Sequence, residues 1–198
     1  MFKDKSTLIP LIIIGLCTLI AGGAVAWKFL RPHHPFYLDT GYHVHADFKV
    51  YLNGKAIDFS QAKYQSTEEK HLDDYTHLHD GDGEVMHFHK PSTTIGYFFK
   101  TLGMEFTKDC FIPDTGEKFC TTPTSTLELW VNGTKNTLMN EYVITDLDRI
   151  LIAYGSLTDE ERKKEFESVT DKACISSEKC PERGKANKES CVVGEPCR

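Results

Sequence analysis

Leu8 to Trp27 is a run of twenty uncharged residues rich in Leu, Ile, Ala and Gly. Such a run predicts a helix long enough to span a bilayer core. Residues 1–30 therefore read as a membrane segment, and residues 31–40, with Arg31-Pro-His-His-Pro35, as a short stiff linker. Beyond the linker the pattern changes to alternation. His43-Val-His-Ala-Asp-Phe-Lys-Val-Tyr-Leu52 and Lys55-Ala-Ile-Asp-Phe59 flank Asn53-Gly54, which predicts a hairpin. Gln61 to Asp74 is polar and predicts a loop with a helical turn. Thr76 to His89 alternates again around the turn residues Asp80-Gly-Asp-Gly83, predicting opposing strands. Ile95, Phe98, Phe99, Leu102 and Phe106 fall at helical spacing within Thr93–Phe106, with Ser92 or Thr93 as the cap. Leu127-Glu-Leu-Trp-Val131 before Asn132-Gly133 reads as a strand and another hairpin turn. Arg149-Ile-Leu-Ile-Ala-Tyr154 reads as the last strand, ended by Gly155.

A hairpin, then a helix, then further strands is the order of an α+β, β-grasp-like domain, assigned to residues 41–156. Phe48-Lys-Val-Tyr-Leu-Asn-Gly-Lys and Leu127-Glu-Leu-Trp-Val-Asn-Gly-Thr echo one another in pattern. Tyr142-Val-Ile-Thr-Asp-Leu-Asp-Arg-Ile-Leu-Ile152 looks like the closing strands of ubiquitin-like sulfur carriers. Their terminal Gly-Gly is absent, so that function is not implied. Residues 157–198 divide into a helix and a tail. Thr158 to Val169 predicts an amphipathic helix opened by a capping box of Thr158 and Glu161. Asp171 to Arg198 is polar and Cys-rich, and needs disulfides to hold any fold.

Charge narrows the function. The net charge is −6, which argues against a nucleic-acid binder, since that would need a basic face. Lys3 and Lys5 precede the apolar run, which places everything after Arg31 outside the cytoplasm. Lys28 and Arg31 favour an uncleaved single-pass anchor, held in the membrane by residues 8–27. Cleavage after Ala24-Val-Ala26 is the alternative. Cys17 belongs to the span. The other six cysteines, Cys110, Cys120, Cys174, Cys180, Cys191 and Cys197, are even in number and exported, which predicts disulfides. Six cysteines allow fifteen connectivities. Of the possible pairs, Cys110–Cys120 is expected from proximity.

The sharpest chemical signal is three His-x-His pairs: His43/His45, His77/His79 and His87/His89. Residues i and i+2 of a strand share a face, so each pair sets two imidazoles side by side. Convergence of the pairs would make a transition-metal site. Copper is preferred because the donors are all imidazoles outside the cytoplasm, and zinc is second. A protein partner for metal transfer would follow. The plain alternative is a sheet face of solvated histidines. His33, His34 and His71 stand outside the pattern and read as surface residues.

Carboxylates lie close by: Asp47, Asp73, Asp74, Asp80, Asp82 and Glu84. Glu84 is the candidate general base if a metal-bound water does hydrolytic chemistry. Its plainer reading is a solvent-facing strand residue, with Asp80 and Asp82 as turn formers. Asp80-Gly-Asp-Gly-Glu84 is too short for an EF-hand. Trp27, Tyr37, Tyr42, Phe98, Phe99, Phe106 and Trp130 read as core or interface anchors. The cysteines read as staples, because no Cys-x-x-Cys is present. Were there thiol chemistry, Cys174 and Cys180 would be its pair. On this reading histidines and cysteines are independent, and Cys174→Ser is expected to leave metal affinity unchanged.

His43-Val-His-Ala-Asp-Phe48, His77-Leu-His-Asp80, His87-Phe-His89, Thr94-Ile-Gly-Tyr-Phe-Phe99, Asp146-Leu-Asp-Arg-Ile-Leu-Ile152 and Ser168 to Gly184 together resemble a poorly characterised family of prokaryotic exported proteins. Some of its members are labelled protein-disulfide isomerase. The resemblance covers most of the chain after the membrane segment, and implies an exported, anchored domain. It also makes a thiol–disulfide oxidoreductase the alternative function, although this sequence lacks a thioredoxin-type motif.

Overall fold

The computed structural model describes residues 42–67, 69–186, 190–192 and 195–196. The predicted membrane segment and linker, with His33 and His34, lie outside the described residues, as does the pairing of Cys191 and Cys197. Among the described residues no helix is long and apolar enough to cross a membrane. The described residues belong to one compact unit.

The fold is mixed α+β and mostly sheet. Its strands are β1 (Val44–Leu52), β2 (Lys55–Ala56), β3 (Thr76–His77), β4 (Val85–Phe88), β5 (Glu105–Phe106), β6 (Cys110–Ile112), β7 (Phe119–Cys120), β8 (Thr126–Val131), β9 (Thr134–Asn136) and β10 (Arg149–Gly155). The main sheet runs β3-β4-β1-β10-β8-β9, with β2 also paired to β1. Its central pair, β1 and β10, is parallel, and its other pairs are antiparallel. Strands β5, β6 and β7 make a small second sheet. Arg149–Gly155 is not the last strand: β11 (Ser190–Val192) pairs with β12 (Glu195–Pro196).

Alternation decides the two faces of the main sheet. Ala46, Phe48, Val50 and Leu52 of β1 join Ile150 and Ile152 of β10 in the main core. That core includes Ile95, Phe98 and Phe99 from α1 (Ile95–Thr101) and Phe106 and Phe111 from the small sheet. Each buried Phe or Ile contributes about 1.5–3 kcal/mol by leaving water. The opposite face carries a smaller core of Trp130, Leu151, Ala153, Phe166 and Val169. Strand β10 is therefore buried on both sides, which explains its unbroken Ile-Leu-Ile-Ala run.

Turns match the sequence closely. Asn53 and Gly54 have φ of 51° and 76°, and Asn132 and Gly133 have 52° and 81°. Two successive left-handed residues make a tight turn whose twist suits a hairpin, and Asn-Gly is the pair that adopts it most cheaply. The helix after β4 differs from expectation. Its cap is Thr94, whose hydroxyl accepts from the Tyr97 amide. Ser92 instead adopts φ 63°, and Thr93 donates its hydroxyl proton to the Lys90 carbonyl. The helix stops at Thr101 because Gly103, at φ 75°, turns the chain into β5, so Phe106 enters the core from a strand.

Helix α2 (Asp159–Glu167) opens with the expected Thr158–Glu161 capping box. Its buried residues are Arg162 and Phe166. The following segment crosses the sheet. Arg149 donates to the carbonyls of Thr170 and Val169. Asp47, buried on β1, accepts from the Thr170 hydroxyl and from the amides of Lys172 and Ala173. Those bonds deliver α3 (Ala173–Ser176) to the face of β1. Disulfides join Cys110 to Cys120 and Cys174 to Cys180.

Candidate metal centre

The apolar alternation of β1, β3 and β4 sends their histidines to one face. Ala46, Met86, Phe88 and Leu78 enter the core. Their neighbours in sequence point the other way. Register then aligns them. His45 pairs with His87 across β1 and β4, and His77 pairs with His87 across β3 and β4. One row of the sheet thus reads His77, His87, His45. The His89 amide donates to Tyr75, one step along. All six histidines of the three pairs form one continuous patch. Ring centroids stand 4.4 Å apart for His43/His45, 4.6 Å for His45/His87 and 4.0 Å for His79/His87. His43 and His77 lie 4.5 Å and 4.9 Å from His89. His45, His77, His87 and His89 are buried, and His43 and His79 half-buried.

Within this patch His43, His45 and His87 offer ligand nitrogens that all lie within 4.8 Å of one another. The Nε2 atoms of His43 and His45 are 3.0 Å apart. Hydrogen-bond accounting assigns the ring protons in the neutral imidazoles. Ser177 donates its only hydroxyl proton to Asp146 Oδ1 at 2.6 Å. His45 Nδ1, 2.7 Å from Ser177 Oγ, must then be the donor. His77 Nδ1 faces the Asp73 carbonyl at 3.1 Å, and His79 Nδ1 faces the Asp80 carboxylate at 3.0 Å. Both must donate, since carbonyls and carboxylates only accept. His79 Nε2 is then an acceptor for His87 Nδ1–H at 3.3 Å. In the neutral rings of His45, His77 and His87 the proton is thus on Nδ1 and the lone pair on Nε2, and that of His45 faces His43 Nε2. A neutral imidazole whose Nδ1–H is held by a neighbouring acceptor presents its other ring nitrogen as the transition-metal ligand.

Asp146 anchors this arrangement. Burial would raise its pKa, but Lys179, the Ser177 hydroxyl and the His45 amide together hold it below the ordinary carboxylate range. Asp73 does comparable work for β3. It accepts from the Tyr75 and Thr76 amides and from the Tyr97 hydroxyl of α1, at 2.8, 3.2 and 2.7 Å. Burial, reinforced by Asp73, pushes the Tyr97 phenol up to about 12.

Other candidate residues fall elsewhere. Glu84 is not among the grouped ligands. Its carboxylate is held by Lys49 and Lys172 at the other end of the strands. Burial favours protonation of Glu84, but Lys172 and Lys49 outweigh it and hold the carboxyl low, the opposite of what a general base needs. Asp80 and Asp82 are turn residues: the Asp82 amide closes the turn onto His79, and the Asp82 carboxylate takes the Glu84 amide. His71 is exposed and pairs with Asp74. Cys174 and Cys180 are joined, with Cys174 half-buried and Cys180 buried. Ser177 and Asp146 were not legible as supports of His45, because no local pattern marks contacts 132 and 101 residues away in sequence. The chain matches no family model, no curated protein and no solved structure.

Proposed function

We propose that this chain is a membrane-anchored, extracytoplasmic transition-metal-binding protein whose site is the histidine face of β1, β3 and β4. The observation that carries the reading is the His43, His45 and His87 trio, with ligand nitrogens within 4.8 Å and His45 and His87 anchored through Nδ1. All-imidazole donors suit copper first and zinc second, and the absence of thiolate from the trio argues for Cu(II) over Cu(I). His77, His79 and His89 continue the patch and serve as further ligands or as entry positions. The role is acquisition, buffering or delivery of the ion, which calls for a protein partner.

Two disulfides fit an oxidising compartment, as does the uncharged run of residues 8–27 preceded by Lys3 and Lys5. The resemblance to exported His-rich proteins points the same way. The central parallel pair of β1 and β10, with α1 following β4, supports a β-grasp reading of the domain. The isomerase alternative has one supporting feature, the Cys174–Cys180 bond with Arg183 Nη1 3.4 Å from the Cys174 sulfur.

Elemental analysis of the chain, purified from an oxidising compartment without chelator, tests the proposal. Near-stoichiometric copper or zinc is expected, with at least a tenfold loss of affinity in His45→Ala/His87→Ala. A protein that takes up neither ion, even after loading, would refute it.

A further inference from the structure

The Cys174–Cys180 loop and the histidine face are physically joined. Ser177 lies inside the loop, and its Oγ bridges His45 Nδ1 and Asp146 Oδ1. Lys179, in the same loop, closes on the other oxygen of Asp146. Asp146 returns to the strand by accepting the His45 amide at 3.0 Å. One loop thus grips both the side chain and, through Asp146, the backbone of one histidine of the trio.

The disulfide is the one covalent closure of that loop among the described residues. Helix α3 is four residues long, far below the length at which a helix stands alone in water. Its entry is fixed by Asp47 at Lys172 and Ala173; beyond them the chain is closed by local amide bonds from Ile175 to Lys172, Ser177 to Ala173, Glu178 to Ile175 and Lys179 to Cys174, by the contacts of Ser177 and Lys179 with Asp146, and by the sulfur bridge. The Cys174 sulfur is half-buried and lies beside the Arg183 guanidinium, a cation that stabilises a thiolate at that position.

We propose that the Cys174–Cys180 loop is a redox-sensitive clamp on the metal centre, in which Ser177 and Asp146 are positioning residues for His45. This inference rests on the metal-binding reading. With the bond intact, Ser177 holds His45 as the Nδ1–H tautomer with Nε2 toward the ion. An extracytoplasmic dithiol would open the bond by thiolate attack on one sulfur and resolution of the mixed disulfide by its second thiol. The dithiol becomes a disulfide while Cys174 and Cys180 take up two electrons and two protons. The loop then loses its closure, His45 its support, and the ion is held less tightly. The sequence-based expectation that Cys174→Ser leaves metal affinity unchanged is replaced by this coupling.

The test measures zinc affinity of the full chain by chelator competition, zinc being indifferent to redox state. Ser177→Ala and Cys174→Ser/Cys180→Ser are each expected to weaken binding about 10–100-fold, the usual scale for losing the support of a ligating histidine. Ser177→Thr, which keeps the hydroxyl, is expected to retain most of the affinity. Nitrogen NMR of the metal-free protein adds a readout that general loosening would not move selectively. His45 is expected as the Nδ1–H tautomer in the wild type and Ser177→Thr, and as a mixture in Ser177→Ala. Zinc bound equally by wild type and all variants would overturn the clamp while leaving the metal site standing. No zinc or copper bound by the wild type would sink the metal reading itself. An unchanged His45 tautomer in Ser177→Ala would overturn the positioning role on its own.

Discussion

Arg162 is a charge taken fully out of water, with 1% of its side chain exposed. It donates to Glu165 Oε2 at 2.8 Å and to the Gly155 carbonyl at 3.1 Å, while Glu128 stands 3.6 Å from its Nε. Removing one partner of a buried ion pair strands the other, at a cost of about 3–5 kcal/mol. Arg162→Ala is expected to destabilise the protein by that amount in urea unfolding, with Glu165 the stranded group. Arg162→Met/Glu165→Gln, which keeps the volume and removes both charges, is expected to cost much less. Equal costs for the two variants would contradict the assignment. The three His-x-His spacings, the Asn-Gly turns and the Thr158–Glu161 box are local patterns and were legible. Arg162 was not: it lies in the charged run of α2, whose one apolar residue is Phe166, and nothing nearby reveals that Gly155 and Glu128 await it.

At the scale of elements, the face of the six paired histidines was readable from period two, but the row they form was not. Register between β1 and β4 joins His45 to His87 across 42 positions of sequence, and alternation alone permits a shift by two. The turn between β3 and β4 helps to fix it. Gly83 lies so close to the Phe59–Ser60 backbone that an added Cβ would meet Ser60 N at 2.3 Å and Phe59 C at 2.5 Å. Neither is a yielding side chain, so Gly83→Ala is expected to destabilise the turn by about 1–3 kcal/mol, read in thermal unfolding. A neutral effect would show that the turn is free to move. Glu84 ties the same turn to β1 and to the segment before α3, through Lys49 and Lys172. Its folded pKa lies below its ordinary one, so its stabilisation is complete above the ordinary carboxylate range. That stabilisation is lost as pH falls through the folded value. The three side chains are 31%, 25% and 45% exposed, which limits the contribution to about 0–1 kcal/mol. Glu84→Gln is expected to flatten the acid limb of the stability curve slightly, and an unchanged limb would contradict the bridge.

Across the whole molecule, two sheet faces carry two kinds of work. One buries a large aromatic core against α1 and the small sheet. The other is divided between the Trp130 and Phe166 core and the histidine patch, with the chain after Val169 laid between them. That division explains why the boundary drawn at residue 156 from composition does not separate a tail from a domain: Asp47 and Arg149 draw the later segment onto the sheet. It also sets the polar histidine patch, whose trio could hold an ion, apart from the two apolar cores. The most direct test is X-ray absorption at the metal edge of the full chain loaded with one equivalent of copper under oxidising conditions. The account predicts a nitrogen shell with imidazole multiple scattering and no sulfur, diminished in His45→Ala/His87→Ala. A sulfur shell, or a spectrum identical to copper in buffer, would contradict it.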